Sequence, residues 1–180
     1  MTRPAFLRLA AVLLTVAGVG SASAQIPDRT RLVAAWTRDS TNVMNYLEAM
    51  PDTALEFHPT PGVRSFAGQF DHIVTTNLEV AAQTLGVGKP APELGDSAAY
   101  LHNKNALRGY AAATFDYVLT LVRKATPAQL ARSVSVWKLP AQPVWSWLEL
   151  SQEHTVWTLG QTVPYLRLNG VTPPDYSIPF

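Results

Sequence analysis

The sequence predicts an all-α protein, specifically an antiparallel up-down four-helix bundle. Three observations carry that expectation. Four segments of about 20 residues repeat apolar side chains at helical spacing. Joints rich in proline and glycine separate them. No cysteine is present to staple a smaller, loop-rich fold.

The first helix is expected over residues 28–50. Asp28 is a suitable N-cap, and Leu32, Trp36, Val43, Leu47 and Met50 fall on one face. Pro51 ends it, because proline disfavours helical geometry in the residue before it. A connector follows, and Ser65 can then cap a second helix over residues 66–85. Phe66, Phe70, Ile73, Asn77, Leu78 and Ala81 form its inner stripe, with His72 beside them. Residues 86–92 read as a loop, with two glycines and two prolines in that stretch.

A third helix is expected over 103–124, with Leu107, Tyr110, Ala111, Thr114, Val118 and Leu121 facing inward. A short turn at 126–131 follows, where Thr126-Pro127 fits an N-cap with proline at the first helical position. Residues 133–139 alternate weakly and read as loop. The last helix is expected over 143–168 and stops at Asn169-Gly170, glycine supplying a left-handed cap. Pro164 lies inside it and removes one backbone donor, so a kink is expected there. Arg167 complements the dipole in the final turn.

The N-terminus reads as a targeting segment. Arg3 and Arg8 precede an uncharged, mostly apolar run over 9–20, and Ala22-Ser23-Ala24 offers a small-residue cleavage pattern. The apolar run is shorter than the ~20 residues a membrane-spanning helix needs. The expected organisation is therefore a signal peptide over 1–24 and one bundle domain over 25–180, exported to the periplasm or the exterior, with no membrane attachment after cleavage. An uncleaved N-terminal anchor is the alternative. The lack of a cysteine behind the apolar run argues against a lipoprotein.

Composition removes other classes. The whole chain carries a formal charge of +1, and loss of the two N-terminal arginines takes it to −1. No basic run remains to neutralise phosphates, so no nucleic-acid partner is expected. Neither a Gly-x-Ser-x-Gly elbow nor a glycine-rich phosphate loop occurs.

Two stretches carry a resemblance. One is Phe57-x-Pro59-x-Pro61-Gly62-x-Arg64-Ser65 with His72 downstream. The other runs from His154 through Thr158-Leu159-Gly160-Gln161 and Tyr165-Leu166-Arg167 to Pro173-Pro174. In this order and spacing the chain resembles the DinB-like family of four-helix bundles. The resemblance implies a divalent metal, zinc or nickel, held by one histidine of the second helix and two of the fourth. Carried over by position, His72 and His154 are the metal ligands, and Thr158 stands in the third place. The resemblance also implies a homodimer. In some relatives it implies transferase or isomerase chemistry with small thiols, which export of this chain does not favour.

Positions 154 and 158 lie on one helical face about 5–6 Å apart, so paired histidines there can clasp one ion. A threonine hydroxyl is a poorer ligand than imidazole for zinc, nickel or copper. Glu153, Gln161 and His102 are the nearest candidates to replace it, and none has a convincing position. Two readings of the histidines stay open: a weak, open divalent site at His72 and His154, or two neutral, hydrogen-bonded histidines in a polar core. The matching functions are metal-dependent hydrolysis or transfer on a small substrate, and non-catalytic binding of a small ligand or a partner. His58 reads as an exposed loop histidine. Trp145, Trp147 and Trp157 read as core or as a dimer face, and Tyr165 as a packed tyrosine. Gly160 is expected to permit close helix approach.

Overall fold

The computed structural model describes residues 26–178 except residue 94. The expected signal peptide over 1–24 lies outside the described residues. Four long helices form the body: α1 (Arg29–Ala49), α2 (Phe66–Thr84), α4 (Lys104–Lys124) and α6 (Val144–Leu168). Two short helices, α3 (Ser97–Tyr100) and α5 (Pro127–Ala131), sit in the joints. One antiparallel pair of two-residue strands, β1 (Ser133–Val134) and β2 (Gln142–Pro143), closes the segment before α6. No helix among the described residues is long and apolar enough to cross a membrane.

The helix ends are set by the expected chemistry. Asp28, Ser65 and Asn103 each accept a backbone N–H at the start of α1, α2 and α4. Thr126 and Gln129 form a reciprocal capping box at α5. At the end of α6, Gly170 has φ 72°. The Gly170 N–H donates to the Arg167 carbonyl at 3.1 Å and the Val171 N–H to that of Leu166 at 2.9 Å. This pair of bonds consumes two carbonyls the helix leaves open. The helix continues through Pro164 to Leu168.

Packing resolves into two antiparallel pairs. Arg29 reaches the Ala125 carbonyl while Lys104 reaches that of Glu48, so α1 and α4 run in opposite directions. Gln69 meets Tyr165 while Asn77 meets Thr155, so α2 and α6 do likewise. Between the pairs, Tyr110 lies beside Thr75 and Tyr117 beside Gly86, placing α2 and α4 side by side in the same direction. The all-α four-helix bundle is as expected, but its long helices run up-down-down-up where the sequence predicts up-down alternation. The core fills the centre with Trp36, Leu47, Phe66, Phe70, Ile73, Leu107, Phe115 and Leu148, all fully buried.

Three local features differ from the sequence expectation. Residues 133–139 are not all loop, since Ser133 and Val134 pair with Pro143 and Gln142. That turn brings Val136 down onto Val80 and Trp147 as a second small core. Residues 97–100 form a helical turn under an Asp96 cap. Gly160 admits no close neighbour, because a Cβ built there meets nothing within 4 Å. The C-terminal tail is also tied down. Ser177 N–H donates to Asn42 Oδ1 at 2.9 Å, and Asn42 returns a bond to the Ser177 carbonyl at 3.3 Å.

Gly86 is the glycine whose missing side chain is required. A Cβ there would lie 2.1 Å from the Tyr117 hydroxyl and 2.9 Å from the Ala82 Cα. Gly86→Ala is therefore expected to destabilise the fold by about 1–3 kcal/mol, read as a lowered urea midpoint. An unchanged midpoint would show that α2 and α4 do not approach as closely as described.

Candidate functional site

The site lies between α2 and α6, and their register is fixed by polar contacts buried in an otherwise apolar interface. Asn77 is fully buried; its Nδ2 donates to Thr155 Oγ1 at 2.9 Å, and Ser151 Oγ donates to its Oδ1 at 2.6 Å. Nearer the start of α2, Gln69 Nε2 donates to the Tyr165 hydroxyl at 3.0 Å, which in turn donates to the Arg64 carbonyl at 2.8 Å. Tyr165 is therefore a buried anchor for the connector, as the packed-tyrosine reading expected.

His72 and His154 face each other between these two clamps. Their Nε2 atoms are 2.9 Å apart, with ring centroids at 4.6 Å and planes at 83°. Thr158 Oγ1 lies 3.4 Å from His154 Nε2, long for a hydrogen bond, and the Thr158 side chain is buried. His154 Nδ1 is buried without a partner among the described residues. Burial, and for His154 also the neighbouring His72, hold both imidazoles below their ordinary pKa; the Arg64 charge adds to this in each case. Both rings are therefore neutral at pH 7, the form in which imidazole accepts a proton or binds a cation.

The pair opens onto a cavity of about 760 Å³. Arg64, Asp71, Thr75, Thr76, Glu79, Val80, Trp137, Trp147, Leu150 and Ser151 complete its walls with the two histidines. The acids there are engaged: Asp71 accepts from the Tyr100 hydroxyl at 2.6 Å and Glu79 from the Trp137 indole at 2.6 Å. Trp147 is buried and donates its indole N–H to the Val134 carbonyl at 2.8 Å.

The other sequence candidates lie elsewhere. His102 pairs with Glu56 on the surface, and His58 bonds the Val63 carbonyl within its own exposed loop. Glu153 and Gln161 point to solvent. Trp157 is 74% exposed, while Trp147 is core. Sequence reasoning did not assign Ser151, Asp71, Glu79 or Trp137 to the site. For Ser151 a signal was present, because Ser151, Thr155, Thr158 and Thr162 recur at helical spacing as a polar inner stripe of α6. For Trp137 there was none, since its place depends on a turn folding back over α2.

The model of the DinB superfamily matches residues 35–161, a span that includes both histidines and most of the bundle. The chain belongs to the DinB superfamily. Crystal structures of DinB-like proteins from Bacillus subtilis and Bacillus cereus share the fold, with TM-scores of 0.65 and 0.61. Their identities to this chain are 18% and 17%; the matches cover 83% and 81% of it and 99% and 95% of those proteins. No curated protein matches the sequence.

The donor set of this DinB superfamily member can be tested against a divalent cation. Two nitrogens bound to one ion at ~2.0–2.1 Å stand about 2.8–3.4 Å apart for angles between square and tetrahedral. The observed 2.9 Å falls in that range, and it equally fits an N–H···N hydrogen bond between neutral rings. Among the described residues no three His, Cys, Asp or Glu side chains form a metal-holding group. The imidazole pair thus suits a cation as a two-point site, and the threonine contributes a hydroxyl and no third nitrogen.

Two outcomes follow from this geometry. Because the folded-state pKa of both histidines is lowered, the unfolded chain takes up protons first as pH falls. Stability is then unaffected by this pair above about pH 6.5 and decreases below it. Thermal melts at pH 7.5 and 5.5 should show a smaller loss for the His72→Asn, His154→Gln double variant than for the unaltered chain, and equal losses would refute the assignment. Asn77→Ala should lower stability by about 1–3 kcal/mol by stripping two buried hydroxyls of their amide partner, checked by chemical denaturation.

Proposed function

We propose that this chain binds a small molecule in the cavity between α2 and α6 and that His72 and His154 hold a divalent cation, zinc or nickel, at its polar end. The observation that carries this reading is the approach of two neutral Nε2 atoms to 2.9 Å, beside an open cavity. Such a cation supplies Lewis acidity to a substrate oxygen, the chemistry of hydrolysis or group transfer. Arg64 favours an anionic substrate, Thr158 presents a hydroxyl beside His154, and Trp147 with Val80 keeps water from the inner wall. Export, read from residues 1–24, and a homodimer through the exposed Trp157 and Leu168 belong to the same proposal.

A second reading has its own support. Thr158 in place of a third nitrogen, and no further ligand group among the described residues, favour a hydrogen-bonded histidine pair in a non-catalytic ligand-binding bundle.

One substitution separates the two. Thr158→His adds an imidazole one turn from His154 and should raise zinc affinity at least about tenfold over the unaltered chain, measured by calorimetry. The unaltered chain should bind zinc or nickel weakly, and His72→Ala should abolish it. Absence of any binding by the unaltered chain, with elemental analysis showing no metal in unchelated protein, would refute the metal reading and leave the second.

A further inference from the structure

The cavity is chemically divided along its length. His72 and His154 stand at one end. Val80 on α2 and Trp147 on α6 lie seven or eight residues along from them, about 10–12 Å at the helical rise. Arg64 lines the cavity and belongs to the histidine end, where its charge acts on both imidazoles and is opposed at His72 by that of Asp71. It joins no ion pair among the described residues. The two carboxylates of the lining are held by protein donors, Asp71 by Tyr100 and Thr75 and Glu79 by Trp137. The far end is walled by Val80, Leu150 and the two indoles, with the Glu79 carboxylate held at its rim by Trp137.

Trp137 makes that end specific. It is 42% exposed, yet its ring is fixed by the indole bond to Glu79, and its backbone N–H donates to Gln83 Oε1 at 3.1 Å. It sits with Lys138 in a two-residue turn closed by the Leu139 N–H on the Val136 carbonyl at 2.9 Å. Both residues have positive φ, 50° and 62°. Asparagine and glycine serve such a turn without strain, whereas tryptophan does not. A strained turn that holds an exposed indole over a cavity is a feature of binding surfaces.

We propose that the cavity takes a carboxylate with a flat apolar body roughly 10 Å from its head, the carboxylate held by Arg64 beside the histidine pair and the body lying against Trp137, Trp147 and Leu150. The proposal rests on reading this cavity as a ligand site and does not require a cation. The Arg64 fork matches a carboxylate in two parallel bonds, and neutral His72 adds a donor in one tautomer. The volume accommodates a small aromatic acid.

The test is calorimetric titration of chelator-treated protein with three probes of one shape, whose extended chain sets the ring about 10 Å from the head group: 7-phenylheptanoate, 7-phenylheptan-1-ol and 7-phenylheptylamine. The acid should bind at least about tenfold more tightly than the alcohol or the amine. Arg64→Gln should remove that preference, and Trp137→Ala should weaken acid and alcohol by a similar factor. Both side chains are exposed, so neither change should unfold the protein. Equal or tighter binding of the amine or alcohol, an acid affinity unchanged by Arg64→Gln, or binding of none of the three would overturn the proposal. Zinc titrated separately into the same protein keeps the two ideas apart. Acid binding without zinc binding sustains this inference and defeats the metal reading, and zinc binding without acid binding does the reverse.

Discussion

The register between α2 and α6 is the constraint on which the rest depends. Two apolar helix faces can slide by a turn at modest cost, since many packings bury similar area. Buried amides and hydroxyls cannot, because each loses its partner in a place water does not reach. Asn77 is held by Ser151 and Thr155, and Gln69 by Tyr165, one clamp on each side of His72 along α2. Moving α6 by one turn would break both clamps at once. Within that lock, His72 can meet only the stretch of α6 that carries His154 and Thr158.

The same lock explains the character of the site. A polar seam inside a helical bundle lowers the burial gain of α6, whose inner stripe is serine and threonine where leucine would pack better. Beside the seam a cavity opens, with the two histidines in its wall. Both imidazoles are partly desolvated and lie within the field of Arg64, so they stay neutral. The bundle thereby presents two neutral imidazoles, a guanidinium that joins no ion pair among the described residues, two hydrogen-bonded carboxylates and an aromatic wall.

Much of this was legible along the chain. The four long helices, the Asp28, Ser65 and Gly170 caps among them, the Thr126 cap of the short α5 and the inner faces of α1, α2 and α4 all appear where periodicity and capping chemistry placed them. These signals are local, residing within one turn or one helix face. Expectations that needed a neighbour fared differently. Gly160 has the composition of a close-packing residue but faces open space, and residues 133–139 became a paired turn only because Val136 found Val80 and Trp147. The side-by-side, same-direction course of α2 and α4 is permitted by the long joint over residues 85–103 and set by which faces meet, which periodicity does not describe.

The sequence by itself determined the helices, the joints and two histidines on inner or near-inner faces, because helix periodicity and capping act over a few residues. Only the tertiary structure decided that rings 82 positions apart would stand Nε2 to Nε2, that Thr158 would lie beside them, and that Arg64 and Trp137 would mark opposite ends of one cavity. The reason is physical. Which residues share a helix face is fixed by the 3.6-residue turn, whereas which faces meet is fixed by the sum of buried contacts between elements, and that sum exists only once the bundle has closed.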